Sequence, residues 1–309
     1  MTRKMVMTAM PAMGKTRLDW KMEETLMERA GDAAEEILRF AHQRKAPIDP
    51  LQIAAEEIDQ LRVVGDDFKK AFDGQLEYHP KKKRFLLFYN NKYDRGLPAG
   101  EHHPRTRFSI AHELGHFYLE RHNRFLRRGG RKHGSKGEFS NDYITEREAD
   151  SFAARLLMPN CLIEPMVNEG ELSLDQIEEI ARTFKTSMLS TARRSVTVSD
   201  FPCAVVGIRN GSIAWVCRPN SLIKCGFYPP SRGHFTSKSA QEQWKQFQMG
   251  TAQRHTAPAY ARQWFKVYDR TELEQVSITE HYLPIPVLDT LLVMLTIPED
   301  ELRLISNYD

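Results

Sequence analysis

The stretch Arg107–His122, RFSIAHELGHFYLERH, constrains the fold more than any other. His112 and His116 stand four residues apart, a spacing that puts both on the same face of an α-helix, one above the other. Two imidazoles so placed reach one metal ion, and Glu113 between them sits where it can take a proton from water. HExxH also arises by chance on solvated helices. Here small Ala111 and Gly115 flank the histidines, and Phe108, Ile110, Leu114, Phe117 and Tyr118 supply apolar bulk that has to be buried. Pro104 suits the first turn, and the run Phe117–Glu120 reads as continuing helix.

A catalytic zinc ion is held by three protein ligands and keeps one position open. His122 stands where HExxHxxGxxH has its third histidine. That pattern needs a glycine to turn the chain back, and this chain has Leu119 there. His122 therefore reads as a surface histidine favourable for a helix C-terminus. The better candidate lies in Thr145–Met158, TEREADSFAARLLM, a helix stopped by Pro159. At roughly 100° per residue, Glu146, Asp150, Ala153 and Leu157 share a face, and Glu148 points about 200° away from Glu146. Thr145 and Glu148 fit a capping box, which gives Glu148 a structural task. Glu146 is thus the expected third ligand. Asp150, one turn on, is placed to accept a hydrogen bond from a ligand histidine and fix its tautomer.

Together, RTRFSIAHELGHF and EREADSFAARLLMP resemble the ImmA/IrrE family of zinc metallopeptidases. The resemblance spans roughly residues 50–160 and is fainter over 170–195. It implies an α+β chain with a zincin-like domain, a cytoplasmic endopeptidase of the gluzincin kind. His112, His116 and Glu146 match the family's zinc ligands, Glu113 its catalytic glutamate, and Asp150 a position that is Asp or Asn. Mn²⁺ is expected to substitute for zinc in vitro. The implied substrate is a helix-turn-helix transcriptional repressor whose cleavage relieves repression. The chain departs from the family in the long basic segment between the two motifs.

The rest of the chain is read around these helices. A charged share of 28% with net charge +3 argues against a general nucleic-acid role. The four cysteines form no CxxC pair and read as reduced thiols. No run is long and apolar enough to span a membrane. Residues 1–16 read as a disordered start. A metallopeptidase domain is expected over 17–168, opening with a helix from Leu18 to Arg44 whose apolar stripe (Leu26, Ala30, Ala33, Ile37, Phe40) packs on that domain. A second helix is expected from Leu51 to Leu61. Short strands follow at 61–64, 74–78 and 84–89, the last placed near the sheet edge, where an extended peptide can add. From Arg124 to Lys136 there are six Arg or Lys and no acid, in a Gly-rich segment that reads either as a solvated loop or as a flap over the cleft.

Residues 169–198 read as a helix-turn-helix-like segment with its turn near Lys185–Ser187. Its second helix is poorly equipped to read DNA, since Arg193 and Arg194 are its only basic residues. Residues 199–309 read as a C-terminal antiparallel α+β domain, with a hairpin at Asn210-Gly211, a helix near 240–249, and strands at 263–268, 276–281 and 291–297. Some family members carry a GAF-like sensor at this place. No catalytic constellation is visible there, so a regulatory role is expected. For the oxyanion, Tyr143, Tyr118 and His133 are candidates by residue type. The competing functional reading is a DNA-binding or scaffold regulator with a non-catalytic peptidase-like domain.

Overall fold

A computed structural model describes residues 17–129, 133–135, 144–230, 232–268, 270–302 and 305. The expected disordered start, residues 1–16, lies outside them, as does Tyr143.

The N-terminal half is built on helices α1 (Arg17–Phe40), α2 (Pro50–Glu56), α3 (Pro104–Tyr118), α4 (Glu120–Arg127) and α5 (Ile144–Leu157), with strands β1 (Leu61–Asp66), β2 (Gly74–His79), β3 (Arg84–Asn90) and β4 (His133–Ser135). The sheet order is β1-β3-β2-β4, with β1 parallel to β3 and the other pairs antiparallel. β3 is therefore interior, not at the edge as expected. Its register explains this: Phe85 and Leu87 alternate inward and are fully buried against α3, a placement suited to a strand paired on both sides. α1 stops at Phe40, short of Arg44, and α2 ends well before Leu61, which opens β1.

α1 lies against α5. Ala30, Ala34 and Leu38 are buried there, and the Arg155 side chain lies across Gly31, where an added Cβ would sit 2.6 Å from Arg155 Nε. Arg155 crosses this contact to Glu28 (2.6 Å) and Asp32 (3.0 Å), and Arg147 reaches Glu23 (2.5 Å). The acidic stripe of α1 is thus partly spent inside the molecule. The N-terminal turn of α3 is pinned by Asp94, which accepts from the His103 backbone N–H (2.9 Å) and Thr106 Oγ1 (2.7 Å).

Helices α6 (Asn160–Val167), α7 (Leu174–Phe184) and α8 (Met188–Val198) follow. Lys185 in the left-handed region closes α7, and Ser187 caps α8 by accepting from Ser190 N–H. The C-terminal part adds β5 (Cys203–Arg209), β6 (Ser212–Cys217), α9 (Asn220–Lys224), β7 (Phe227–Tyr228), α10 (Lys238–Gln248), β8 (His255–Tyr260), β9 (Lys266–Val267), β10 (Ser277–Ile285), β11 (Thr290–Thr296) and α11 (Glu299–Leu302). Its sheet runs β6-β5-β11-β10-β8 and is antiparallel throughout. The Asn210-Gly211 turn has both residues at positive φ, as a two-residue hairpin requires. Strand β8 is an addition to the sequence reading, while the 263–268 strand shrinks to β9 behind a 3₁₀ turn.

β5 and β11 are buried on both faces, which is why they read as continuous apolar runs. One face (Val206, Ile208, Val293, Leu295) meets Trp244 and Trp264. The other (Cys203, Val205, Leu292, Met294) shares a core with α6, α7 and α8. The helix pair is therefore built onto the C-terminal sheet, not strung beside it.

Candidate metal centre

α3 and α5 cross where their smallest residues meet. A Cβ on Gly115 would stand 3.2 Å from the Ala149 Cα and 3.3 Å from Phe152 Cβ, tighter than ordinary contact. This close approach brings the inward faces of the two helices together. His112 Nε2 and His116 Nε2 lie 3.1 Å apart. Glu146 presents Oε2 to His112 Nε2 at 3.3 Å and Oε1 to His116 Nε2 at 3.6 Å. Ligand atoms from all three residues fall within 4.8 Å of one another, and all three side chains are buried. Two imidazole nitrogens and one carboxylate fit a borderline divalent ion such as zinc, with a coordination position left over. Glu113, 1% exposed, sits on the same helix, and its charge acts on His112.

The two imidazoles are oriented from behind by different devices. His112 Nδ1 lies 2.9 Å from Asp150 Oδ1. A carboxylate accepts, so Nδ1 carries the proton and Nε2 is turned to the cluster as a ligand nitrogen. Burial disfavours the charged imidazole, but hydrogen bonds to Asp150 and Glu146 outweigh it and push His112 up to about 10. A cation entering the site therefore displaces a firmly held proton.

Behind His116 stands His122, Nδ1 to Nδ1 at 3.0 Å, with His122 Nε2 2.9 Å from Glu148 Oε2. The network assigns the protons. Glu148 accepts from His122 Nε2, burial favours the neutral His122 ring, and His122 Nδ1 then accepts from His116 Nδ1. His116 Nε2 is left as a ligand nitrogen. Arg121 also donates to Glu148.

This overturns three expectations. His122 is 4% exposed, not a surface residue. Glu148 closes no capping box: Thr145 lies inside α5, and the carboxylate faces His122 and Arg121. The helix does not continue past Tyr118. Leu119, at φ −69° and ψ 110°, ends α3 and caps α4, so residues 124–127 are helical and not loop. The chain thus turns back without glycine, because the turn is made in the extended region at negative φ, which leucine adopts freely. Asn123 holds the corner by donating to the Phe117 carbonyl at 2.7 Å. The readable signal was the acid-first, base-last pattern of Glu120, Arg124 and Arg127, which marks a new helix.

Of the three oxyanion candidates, Tyr118 directs its hydroxyl to Glu57 (3.2 Å). His133 lies in β4, with its side chain outside the described residues, and Tyr143 is outside them altogether. The remainder of the basic segment, 130–132 and 136, also falls outside.

Residues 81–195 match the IrrE N-terminal-like domain family, Peptidase M78. No curated protein matches the chain significantly. A solved structure of a Mycobacterium tuberculosis transcriptional regulator is similar in fold, with a TM-score of 0.54 at 13% identity, covering 92% of this chain and 82% of that one. No helix among the described residues is long and apolar enough to cross a membrane. Both the HExxH helix and its glutamate-bearing partner helix lie within residues 81–195, the segment that is similar to the IrrE N-terminal-like domain family, Peptidase M78.

Proposed function

We propose that the chain is a zinc-dependent endopeptidase that acts in the cytoplasm on a protein substrate, a helix-turn-helix transcriptional repressor. The observation that carries this reading is the buried convergence of His112, His116 and Glu146 with Glu113 on the same helix. A structural zinc site is usually closed by four protein ligands, and this cluster offers three among the described residues. When bound there, zinc would supply Lewis acidity to the scissile carbonyl and to the attacking water. Glu113 takes the proton from that water and returns it to the leaving amine. Asp150 and His122 hold the two imidazoles in the tautomer that presents Nε2.

The runner-up, a DNA-binding or scaffold regulator, would use α8 as its reader. That helix is largely consumed by packing. Leu189, Ala192 and Val196 are buried, Arg194 donates to the Met158 carbonyl, and Arg193 stacks on Trp215 at 5.0 Å. The deciding test incubates wild type and Glu113→Gln with Zn²⁺ or Mn²⁺ and candidate repressors, and maps cuts by mass spectrometry. A discrete cut made by wild type, with Glu113→Gln zinc-loaded but inactive, is the expected result. Operator binding without any cleavage would establish the runner-up.

A further inference from the structure

A hollow lies away from the metal cluster, where the peptidase-like part, α8 and β10 meet. It encloses about 380 Å³, within the range of small-molecule sites. Phe108 and Leu157 line it from the peptidase-like part, Met188 and Leu189 from α8, and Leu283 and Ile285 from β10. Such walls bind an apolar body by removing it from water.

The charged groups in the wall have one sign. The lining contains Arg105 and Arg209 and no carboxylate. Arg105 is committed to Asp73, at 2.6 and 2.9 Å. Arg209 is held through Nε by Thr290 Oγ1 at 2.7 Å, and no acid among the described residues pairs with it. With Nε engaged, the two terminal nitrogens of a guanidinium can still pair with an anion. The first turns of α3 and α8 also open onto the space, adding the positive ends of two helices.

We propose that this cavity is a binding site for a small amphipathic monoanion: an aliphatic or aromatic body seated between α3, α8 and β10, with its carboxylate on Arg209. Charge complementarity selects the anion, and the apolar walls select the body. The site stands whether or not the chain is a peptidase. It shares a wall with the metal cluster, because the Phe108 ring lies 6.3 Å, centroid to centroid, from that of His112.

The test uses the full chain and two fluorescent probes with the same apolar body, 8-anilinonaphthalene-1-sulfonate and uncharged N-phenyl-1-naphthylamine. The sulfonate probe should bind wild type saturably, one per chain, and be displaced by octanoate. Arg209→Gln should weaken it at least tenfold while binding the uncharged probe as before, which also shows that this variant is folded. Met188→Trp, which fills the cavity, should abolish both. No saturable binding to wild type, equal sulfonate affinity in Arg209→Gln, or undiminished binding in Met188→Trp would each overturn the proposal.

Discussion

Replacing His122 by phenylalanine keeps a ring of similar size in a buried position and removes the acceptor for His116 Nδ1–H. The His116 ring then either keeps an unsatisfied buried donor or rotates away from the ligand geometry. Leaving such a donor unmade costs about 1–3 kcal/mol. At about 1.4 kcal/mol per factor of ten, zinc affinity should fall by roughly 5–150-fold, in line with the 10–100-fold typical for groups behind a ligand. Glu148→Gln keeps an acceptor for His122 Nε2–H and should lose much less. Zinc affinity is read by competition with a fluorescent chelator, and thermal melts of the metal-free proteins separate loss of metal from loss of fold. If His122→Phe binds zinc as tightly as wild type, the Glu148–His122–His116 line is packing only and the tautomer assignment fails.

Further outcomes follow from the same geometry. Glu146→Ala should strip zinc outright, whereas Asp150→Ala should weaken it on the order of 10–100-fold; metal content after dialysis ranks them. Gly115→Val should destabilise the protein by about 1–3 kcal/mol, because the new methyls meet the Ala149 backbone of the partner helix; urea unfolding measures it. Burial raises the Asp73 carboxyl, but Arg105 and Lys92 hold it below its ordinary 3.8. A depressed folded value gives stability that is present above 3.8 and lost as pH falls through the folded value. Asp73→Asn should therefore flatten the acid limb of a Tm-against-pH curve, and an unchanged limb would show that the pairing contributes nothing.

The His112–His116–Glu146 cluster was legible because helical geometry is local: the spacing of four in HELGH and the angular offset of Glu146 from Glu148 already turn the two carboxylates to different partners. That α1 packs on its neighbours was legible from an apolar stripe, but the stripe was misplaced: Ala30, Ala34 and Leu38 are buried, Ala33 and Ile37 only partly, and Phe40 is exposed; the hairpin was legible from Asn210-Gly211. What was illegible depends on tertiary context. Nothing local distinguishes Leu119 ending one helix from Leu119 continuing it, so His122 looked exposed and Glu148 looked free to cap. The interior place of β3 depends on β1 pairing in parallel across a crossover, which strand patterns do not encode. β8 escaped because His255–Tyr260 carries Pro258 and an exposed alternate face, the marks of an edge strand, not of a buried one.

The clamp between Arg155 and the carboxylates of α1 has a consequence for synthesis. Asp32 leaves the ribosome 123 residues before Arg155. At about 5–20 residues per second, that interval is roughly 6–25 s. Throughout it, the stripe of Ala30, Ala34 and Leu38 has no α5 to cover it. The nascent chain therefore carries an amphipathic helix with an open apolar face for seconds, long enough for a chaperone to engage it. Ribosome-bound chains arrested before and after α5 emerges should differ in protease sensitivity at α1.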